Sequence, residues 1–279
     1  MRGMRRFLVV LGAVGALVLA GLSLPAQAGP STGLGKWALL VGIDHFQGKT
    51  RPNTGSVGDV EDVREALLRK GWASDHIRVL TDGAATAKGI REGLAWLAAN
   101  SNDRTYSVFH YSGHVKQVGS TVYLWPHDNQ HIRDTELADA LNRVQGWAWF
   151  NIAGCEAAAF DKGLSSPRHL VTMSSQANEK SYEMPKGVRN SVFTYFLIDQ
   201  AVLAGDADGN GDGRVSLQEA FAYASSHAPA MTEDQRHGPQ HPQLAGGDGS
   251  EWFLDPPPPP PPPPPPAKAP TGRCLILCK

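Results

Sequence analysis

The chain has 279 residues and carries 26 Lys and Arg against 27 Asp and Glu, a formal net charge of −1. That balance argues against nucleic acid as a partner and gives no reason to expect an anionic membrane as one. No internal repeat is visible, and the body of the chain is long enough for one domain with a large core.

The first residues, MRGMRRFLVV, carry three arginines, and an apolar run from Phe7 to about Leu22 follows. The small-residue site Ala26-Gln27-Ala28 closes the segment. Charge, apolar stretch and A-x-A in this order predict a secretory signal peptide over residues 1–28, hence export. A retained anchor is the competing reading, but the run is short for a span. A secreted protein with no stable membrane association after signal removal is expected.

The body, residues 29–255, reads as alternating strands and helices. WALLVGID (37–44) is a continuous apolar run, as in a strand buried on both faces. GDVEDVREALLRKGW places Val60, Val63, Leu67 and Leu68 at helical spacing and ends at Gly71. HIRVL (76–80) predicts a second strand. Thr86 can cap a helix that carries Ile90, Leu94 and Leu97 on one side. TYSVFHY (105–111) is a third strand, TVYLW (121–125) a short extra one, and TELADALNRV a helix with Asp134 and Thr135 as cap candidates. WAWFNIA (147–153) and HLVTMSS are the fourth and fifth main strands, and SVFTYFLIDQAVL is an apolar helix. This alternation predicts an α/β domain with a parallel sheet covered on both faces.

In such sheets, sites form where loops leave the carboxyl ends of strands. His114 follows the third strand in HYSGHV, and Cys155 follows the fourth in FNIAGC. Cys155 is the only cysteine in the first 273 residues. A histidine beside a thiol can take its proton and deliver it to a leaving amine. Backbone N–H groups of Cys155 and of the Gly113–Val115 loop are candidate oxyanion donors. The pattern is that of a Cys–His acyl-transfer site for amide hydrolysis. A buried structural cysteine is the plainer reading of a lone thiol. A zinc site of His110, His114 and Cys155 fails on reach, since four residues of strand hold the two histidines roughly 13 Å apart.

WALLVGID, GSVGDVEDVREAL, VFHYSGHV, VYLWPHD and FNIAGCEAA, in this order, resemble the caspase-like cysteine peptidases and among them the bacterial metacaspase-like branch. The segments span most of residues 36–204. The resemblance implies a three-layer α/β/α sandwich with a mostly parallel central sheet, a peptide or protein substrate and a dyad of Cys155 and His114. Two positions depart from the family pattern. Val115 replaces the last glycine of Ser-Gly-His-Gly, where its branched side chain is expected to crowd the pocket. Ala153 stands where metacaspases carry the aspartate of Asp-Ser-Cys, which lines the pocket for a basic P1 residue. A second pocket acid of metacaspases maps onto Asp59, which also suits a helix N-terminus. Ser174 and Ser175, after the fifth strand, are further substrate-binding candidates. Val115 and Ala153 together motivate an alternative, a non-catalytic calcium-binding surface or interaction module of the same fold.

DGNGDGRVSLQE (208–219) fits the twelve-position EF-hand template. Asp208, Asn210 and Asp212 stand at positions 1, 3 and 5, and Gly213 at the turn. Arg214 offers its carbonyl at 7, Ser216 sits at 9, and Glu219 is the bidentate ligand at 12. A structural calcium ion is expected there, and no organic cofactor. An acidic turn that uses Ser216 and Glu219 as a capping box is the plainer alternative. RHGPQHPQ contains a Gln-x-Pro-Gln segment similar to one that precedes the last strand in the caspase-like family. Pro256 to Pro266 is unbroken proline, a polyproline II spacer of roughly 34 Å. The tail beyond it ends with Cys274 and Cys278 and reads as disordered. Oligomeric state and the P1 residue are left open by the sequence.

Overall fold

β1 (Gly35–Gly42) is the apolar run of the first expected strand, and its neighbours explain its composition. It pairs in parallel with β2 (Ile77–Thr81) on one side and with β3 (Thr105–Ser112) on the other. The computed structural model describes residues 34–255. The expected signal peptide (1–28) and the proline spacer and tail (256–279) lie outside the described residues.

The main sheet continues from β3 through β7 (Trp147–Ala153) and β8 (His169–Met173), all parallel, to an antiparallel edge strand, β9 (Gln243–Gly246). Its strand order is β2-β1-β3-β7-β8-β9. A second, antiparallel sheet of β4 (Val115–Val118), β5 (Thr121–Leu124) and β6 (Ile132–Arg133) follows the loop after β3. Strand pleating sends alternate side chains to opposite faces. Leu39, Val41 and Ile43 enter one core cluster, and Ala38 and Leu40 enter another.

The first cluster is closed by α2 (Ala87–Ala99) through Ile90, Leu94 and Leu97, and by α3 (Asp134–Leu141) through Leu137 and Leu141. The second is closed by α1 (Ser56–Arg69), α4 (Val192–Thr194, continuing as a π-helix over Tyr195–Ala204) and α5 (Leu217–Thr232). Their contacts include Val60, Val63, Leu67, Phe193, Ile198 and Ala220. The result is the three-layer α/β/α arrangement. Each wholly buried leucine, such as Leu39 or Leu67, contributes about 2–5 kcal/mol relative to alanine at this kind of site.

Local signals explain several boundaries. Thr86 Oγ1 accepts the Gly89 N–H at 3.0 Å and caps α2, as its sequence suggests. Asp134 is the first residue of α3 rather than its cap; its carboxylate accepts the Thr135 N–H and the Lys162 ammonium. Gly205, at φ 86, ends the π-helix in the left-handed conformation that glycine allows. Ser216 and Glu219 form a reciprocal capping box at the start of α5. Among the described residues no helix is long and apolar enough to cross a membrane.

Candidate active site

Register brings the two chemically important residues together. In the β3–β7 pair Ser112 lies opposite Ala153, so His114 and Cys155 each stand two residues beyond a matched pair. Neighbouring strands lie about 4.8 Å apart, which puts both loops at the same edge of the sheet. Both residues line one open cleft of about 300 Å3. One wall comes from the segment after β1 (Arg51, Pro52, Asn53) and the other from the segment after β8 (Lys180, Ser181, Tyr182, Glu183). Ser56, Ser112, Ala153 and Ser191 also line it.

The loops are built to fixed shapes. Tyr111 Oη donates to the His114 carbonyl at 2.6 Å, and the Trp125 N–H donates to the same oxygen at 3.1 Å. Gly113 must be glycine, because a Cβ there would meet Tyr111 Oη at 2.8 Å. Gly154 faces the same demand, with the Gly113 carbonyl and Val115 Cγ2 each 2.8 Å from a Cβ placed on it. The turn after β7 is braced from beneath. Ser174 Oγ accepts the Gly154 N–H and donates to the Gly154 carbonyl, and Ser175 Oγ accepts the Ala157 N–H.

His114 Nε2 lies 2.8 Å from the Arg51 carbonyl. A carbonyl only accepts, so in the neutral ring the proton sits on Nε2 and Nδ1 carries the basic lone pair. Phe46 stacks on the ring, with centroids 4.8 Å apart and planes 18° from parallel. Cys155 is partly buried. Its sulfur accepts the Ser181 N–H at 3.5 Å and reaches the Ser181 carbonyl at 3.9 Å. Burial pushes the thiol above its ordinary pKa, and the Ser181 N–H works against that shift.

The oxyanion donors sort differently from the sequence expectation. The Gly113 N–H is committed to the Ala153 carbonyl at 3.1 Å and is not free for a substrate. Val115 pairs with Leu124, and the adjacent His114–Trp125 pair carries the hydrogen bond. The Val115 N–H therefore points away from β5, at the free edge of that sheet. Gly154, Glu156, Ala157 and Ala158 all donate their N–H groups to protein acceptors, whereas that of Cys155 meets no acceptor outside its own residue among the described residues. Cys155 and Val115 are thus the available pair. Nor does the Val115 side chain crowd the cleft: it packs on the α2–α3 core and against Gly154.

Three expected substrate contacts lie behind the cleft surface. Ser174 and Ser175 are wholly buried and brace the Cys155 turn, as above. Asp59 is also wholly buried, one layer below the floor. Its carboxylate accepts Ser112 Oγ at 2.6 Å, the Ser191 N–H at 2.9 Å and Asn190 Nδ2 at 3.3 Å. Burial raises its pKa to about 7 in spite of those donors. His110 is buried against Asn151 Nδ2 at 2.9 Å, and burial lowers its pKa to about 3, a neutral core histidine.

Sequence reasoning missed the walls. Arg51 acts through its carbonyl and Ser181 through its N–H, and backbone roles leave no trace in residue type. Glu183 Oε1 accepts the Thr54 and Gly55 N–H groups and ties one wall to the other. Gln240 is wholly buried in the Gln-x-Pro-Gln segment that leads into β9. It accepts the Tyr182 N–H and donates to the Ser174 carbonyl. A buried glutamine beside two prolines was the one available sequence signal for that anchor.

In the 208–219 loop, Asp208 accepts the Gly211, Asp212 and Gly213 N–H groups and Asp212 accepts that of Arg214. Asn210 Oδ1 accepts the Asp212 N–H. Glu219 Oε1 reaches back to the Asn210 N–H at 3.3 Å, while Oε2 serves Ser216. Among the described residues no three His, Cys, Asp or Glu side chains are drawn together as a ready-made metal cage. The donors fit a hard cation in kind and in order, all being oxygen. Bidentate use of Glu219 requires release of its bonds to Ser216.

Residues 35–245 match the caspase domain model of peptidase family C14. The chain belongs to that family. It is 35% identical over 88 residues to metacaspase-1 of Candida albicans, a match covering 29% of this chain and 19% of that protein. It is 33% identical over 89 residues to metacaspase-3 of Arabidopsis thaliana, covering 29% and 24%. With metacaspase-1 of Cryptococcus neoformans it shares 24% identity over 223 residues, 73% of this chain and 48% of the relative. The matches thus span less than half of each of these relatives. The protein GSU0716 from Geobacter sulfurreducens has the same fold, with a TM-score of 0.57 at 16% identity, over 76% of this chain and 93% of that one.

Proposed function

We propose that the protein is an exported cysteine endopeptidase that hydrolyses peptide bonds with Cys155 as nucleophile and His114 as general base. The observation that carries the reading is one open cleft holding both residues, with the His114 tautomer set by the Arg51 carbonyl. Nδ1 takes the thiol proton as the sulfur attacks the scissile carbonyl, and the N–H groups of Cys155 and Val115 receive the oxyanion. The imidazolium then gives the proton to the leaving amine, and a thioester to Cys155 remains. Water, deprotonated by the same nitrogen, releases the acid. A basic P1 side chain that enters between Ser112 and Ser191 approaches Asp59 and favours its ionised form.

Calcium in the 208–219 loop is the second part of the proposal. Asp208, Asn210, Asp212, Glu219, the Arg214 carbonyl and Ser216 would hold the ion, which supplies structural charge compensation and no chemistry at the cleft. The loop is tied to the end of the domain: Arg214 donates to Asp255 and lies over Phe253 at 3.7 Å, and the Leu217 N–H donates to the Trp252 carbonyl.

The test is turnover of a mixed-sequence peptide library by the full chain and by Cys155→Ala and His114→Ala. The proposal expects cleavage by the parent and none by either variant, with unchanged melting temperatures. Equal cleavage by Cys155→Ala would end it. No cleavage by any of the three, with a sluggish thiol, favours the non-catalytic module.

A further inference from the structure

The residue after Cys155 is a glutamate in an unusual setting. Glu156 adopts a left-handed conformation at φ 51, where a non-glycine residue is strained. Its carboxylate is almost wholly buried, at 6% side-chain exposure. Oε1 pairs with the Lys180 ammonium, and Oε2 is buried with no partner. A buried carboxylate that keeps one oxygen unpaired is costly, which points to a role outside the core.

That role follows from what the pair flanks. Glu156 and Cys155 are consecutive, and Lys180 and Ser181 are consecutive. Two links join the dipeptides, Lys180 to Glu156 Oε1 and the Ser181 N–H to the Cys155 sulfur at 3.5 Å, and the Glu156 N–H donates to the carbonyl of the residue before Lys180, Glu179, at 2.8 Å. The clamp holds one cation and one buried anion on the residues next to Cys155 and to Ser181, whose N–H touches the sulfur. We propose that this pair sets the reactivity of Cys155. Lys180 is a positioning residue whose charge favours the thiolate, and Glu156 is a counter-charge that restrains it. Both signs agree with the local electrostatics, in which Lys180 lowers and Glu156 raises the pKa of the thiol.

The other charged or titratable groups around the sulfur are few. His114 and Arg51 come from the opposite wall, and Tyr182 and Glu183 follow Lys180 on the near wall. His237 lines the rim. Glu183 is occupied by the Thr54 and Gly55 N–H groups. Lys180 and Glu156 are the pair that adjoins both ends of the Ser181–Cys155 hydrogen bond and is itself joined by an ion pair. In a Glu156→Gln variant the two backbone links remain, so Lys180 keeps its place without its counter-charge.

The inference rests on Cys155 as the reactive thiol, and its test needs no peptide substrate, so it stands or falls apart from turnover. The full-length chain is treated with iodoacetamide from pH 5 to pH 10, and the rate of alkylation is read at the Cys155 peptide by mass spectrometry. Cys274 and Cys278 are thereby counted separately. An opposite charge within about 4–6 Å moves a titration midpoint by about 1–3 pH units. Lys180→Met is expected to raise the midpoint by about one unit and to slow alkylation at pH 7 about tenfold. Glu156→Gln is expected to lower the midpoint, Lys180→Arg to keep it near the parent value, and the double variant to return towards it. A clamp that acts only by holding the turn would shift Lys180→Met and Glu156→Gln in the same direction. That result, or no shift in either, overturns the proposal.

Discussion

Asp59 offers a quantitative test of how the cleft floor is built. The carboxylate has no exposure and accepts Ser112 Oγ, the Ser191 N–H and Asn190 Nδ2, yet burial raises its pKa from 3.8 to about 7. The sign follows from linkage. Below about pH 3.8 both folded and unfolded chains hold the proton and Asp59 is neutral to stability. Between 3.8 and about 7 the unfolded chain releases it and the folded chain keeps it, so stability falls as pH rises. Each pH unit of that interval is worth about 1.4 kcal/mol, so the ionised group costs about 4 kcal/mol at pH 8. Asp59→Asn mimics the protonated acid: its carbonyl oxygen accepts from Ser191 and Asn190, and its amide donates to Ser112 Oγ. Urea unfolding of both proteins from pH 4 to pH 8.5 checks this, since groups common to the two cancel in the difference. The variant is expected to match the parent near pH 4 and to exceed it by up to about 4 kcal/mol at pH 8. A difference independent of pH, or a variant less stable at pH 8, would refute the burial argument. It would mean that Asp59 is ionised throughout and well solvated by its donors.

Further outcomes follow from particular contacts. Phe46→Ala removes the ring stacked on His114 and is expected to lower kcat about ten- to a hundredfold, with Phe46→Tyr restoring it, in an assay of peptide turnover. Gly154→Ala places a methyl group 2.8 Å from the Gly113 carbonyl and from Val115 Cγ2, and is expected to cost about 1–3 kcal/mol in urea unfolding. Val115→Gly in that background should relieve part of the cost, because the Gly113 carbonyl remains. Calcium at a hundredfold excess over its Kd is expected to stabilise the chain by about 2.7 kcal/mol and to raise its melting temperature. Glu219→Gln should remove that shift, and an unchanged melting temperature on chelation in the parent would exclude the metal.

The parallel core was legible because buried strands and amphipathic helices write their periods into the sequence. WAWFNIA matches β7 residue for residue, and Thr86 caps α2 as its position suggests. β4 was not legible: VKQV is short, half polar and leaves Val118 exposed, so no apolar period marks it. β9, QLAG, is an edge strand whose identity comes from pairing with β8. Strand ends pointed to Cys155 and His114, since topology alone places residues after β3 and β7 at one edge. The expected pocket residues, Asp59 from the family resemblance and Ser174 and Ser175 from their place after the fifth strand, do not face the cleft directly. They lie beneath the surface, and the walls that face the cleft act through backbone groups of Arg51 and Ser181. Glu156 and Lys180 meet across a stretch that runs through β8 and the loops on either side of it, a contact that no local pattern encodes.

Trapping a covalent intermediate on Cys155 separates a thiol nucleophile from any other route to cleavage. The full chain is mixed with a peptide ester or amide that it turns over, quenched in acid within the first turnover, and digested for mass spectrometry. The substrate's acyl group is expected on Cys155, as a thioester removed by hydroxylamine, and no acyl group is expected in His114→Ala on the same timescale. Turnover with the acyl group on another residue, or with none on Cys155 at any time, would contradict it.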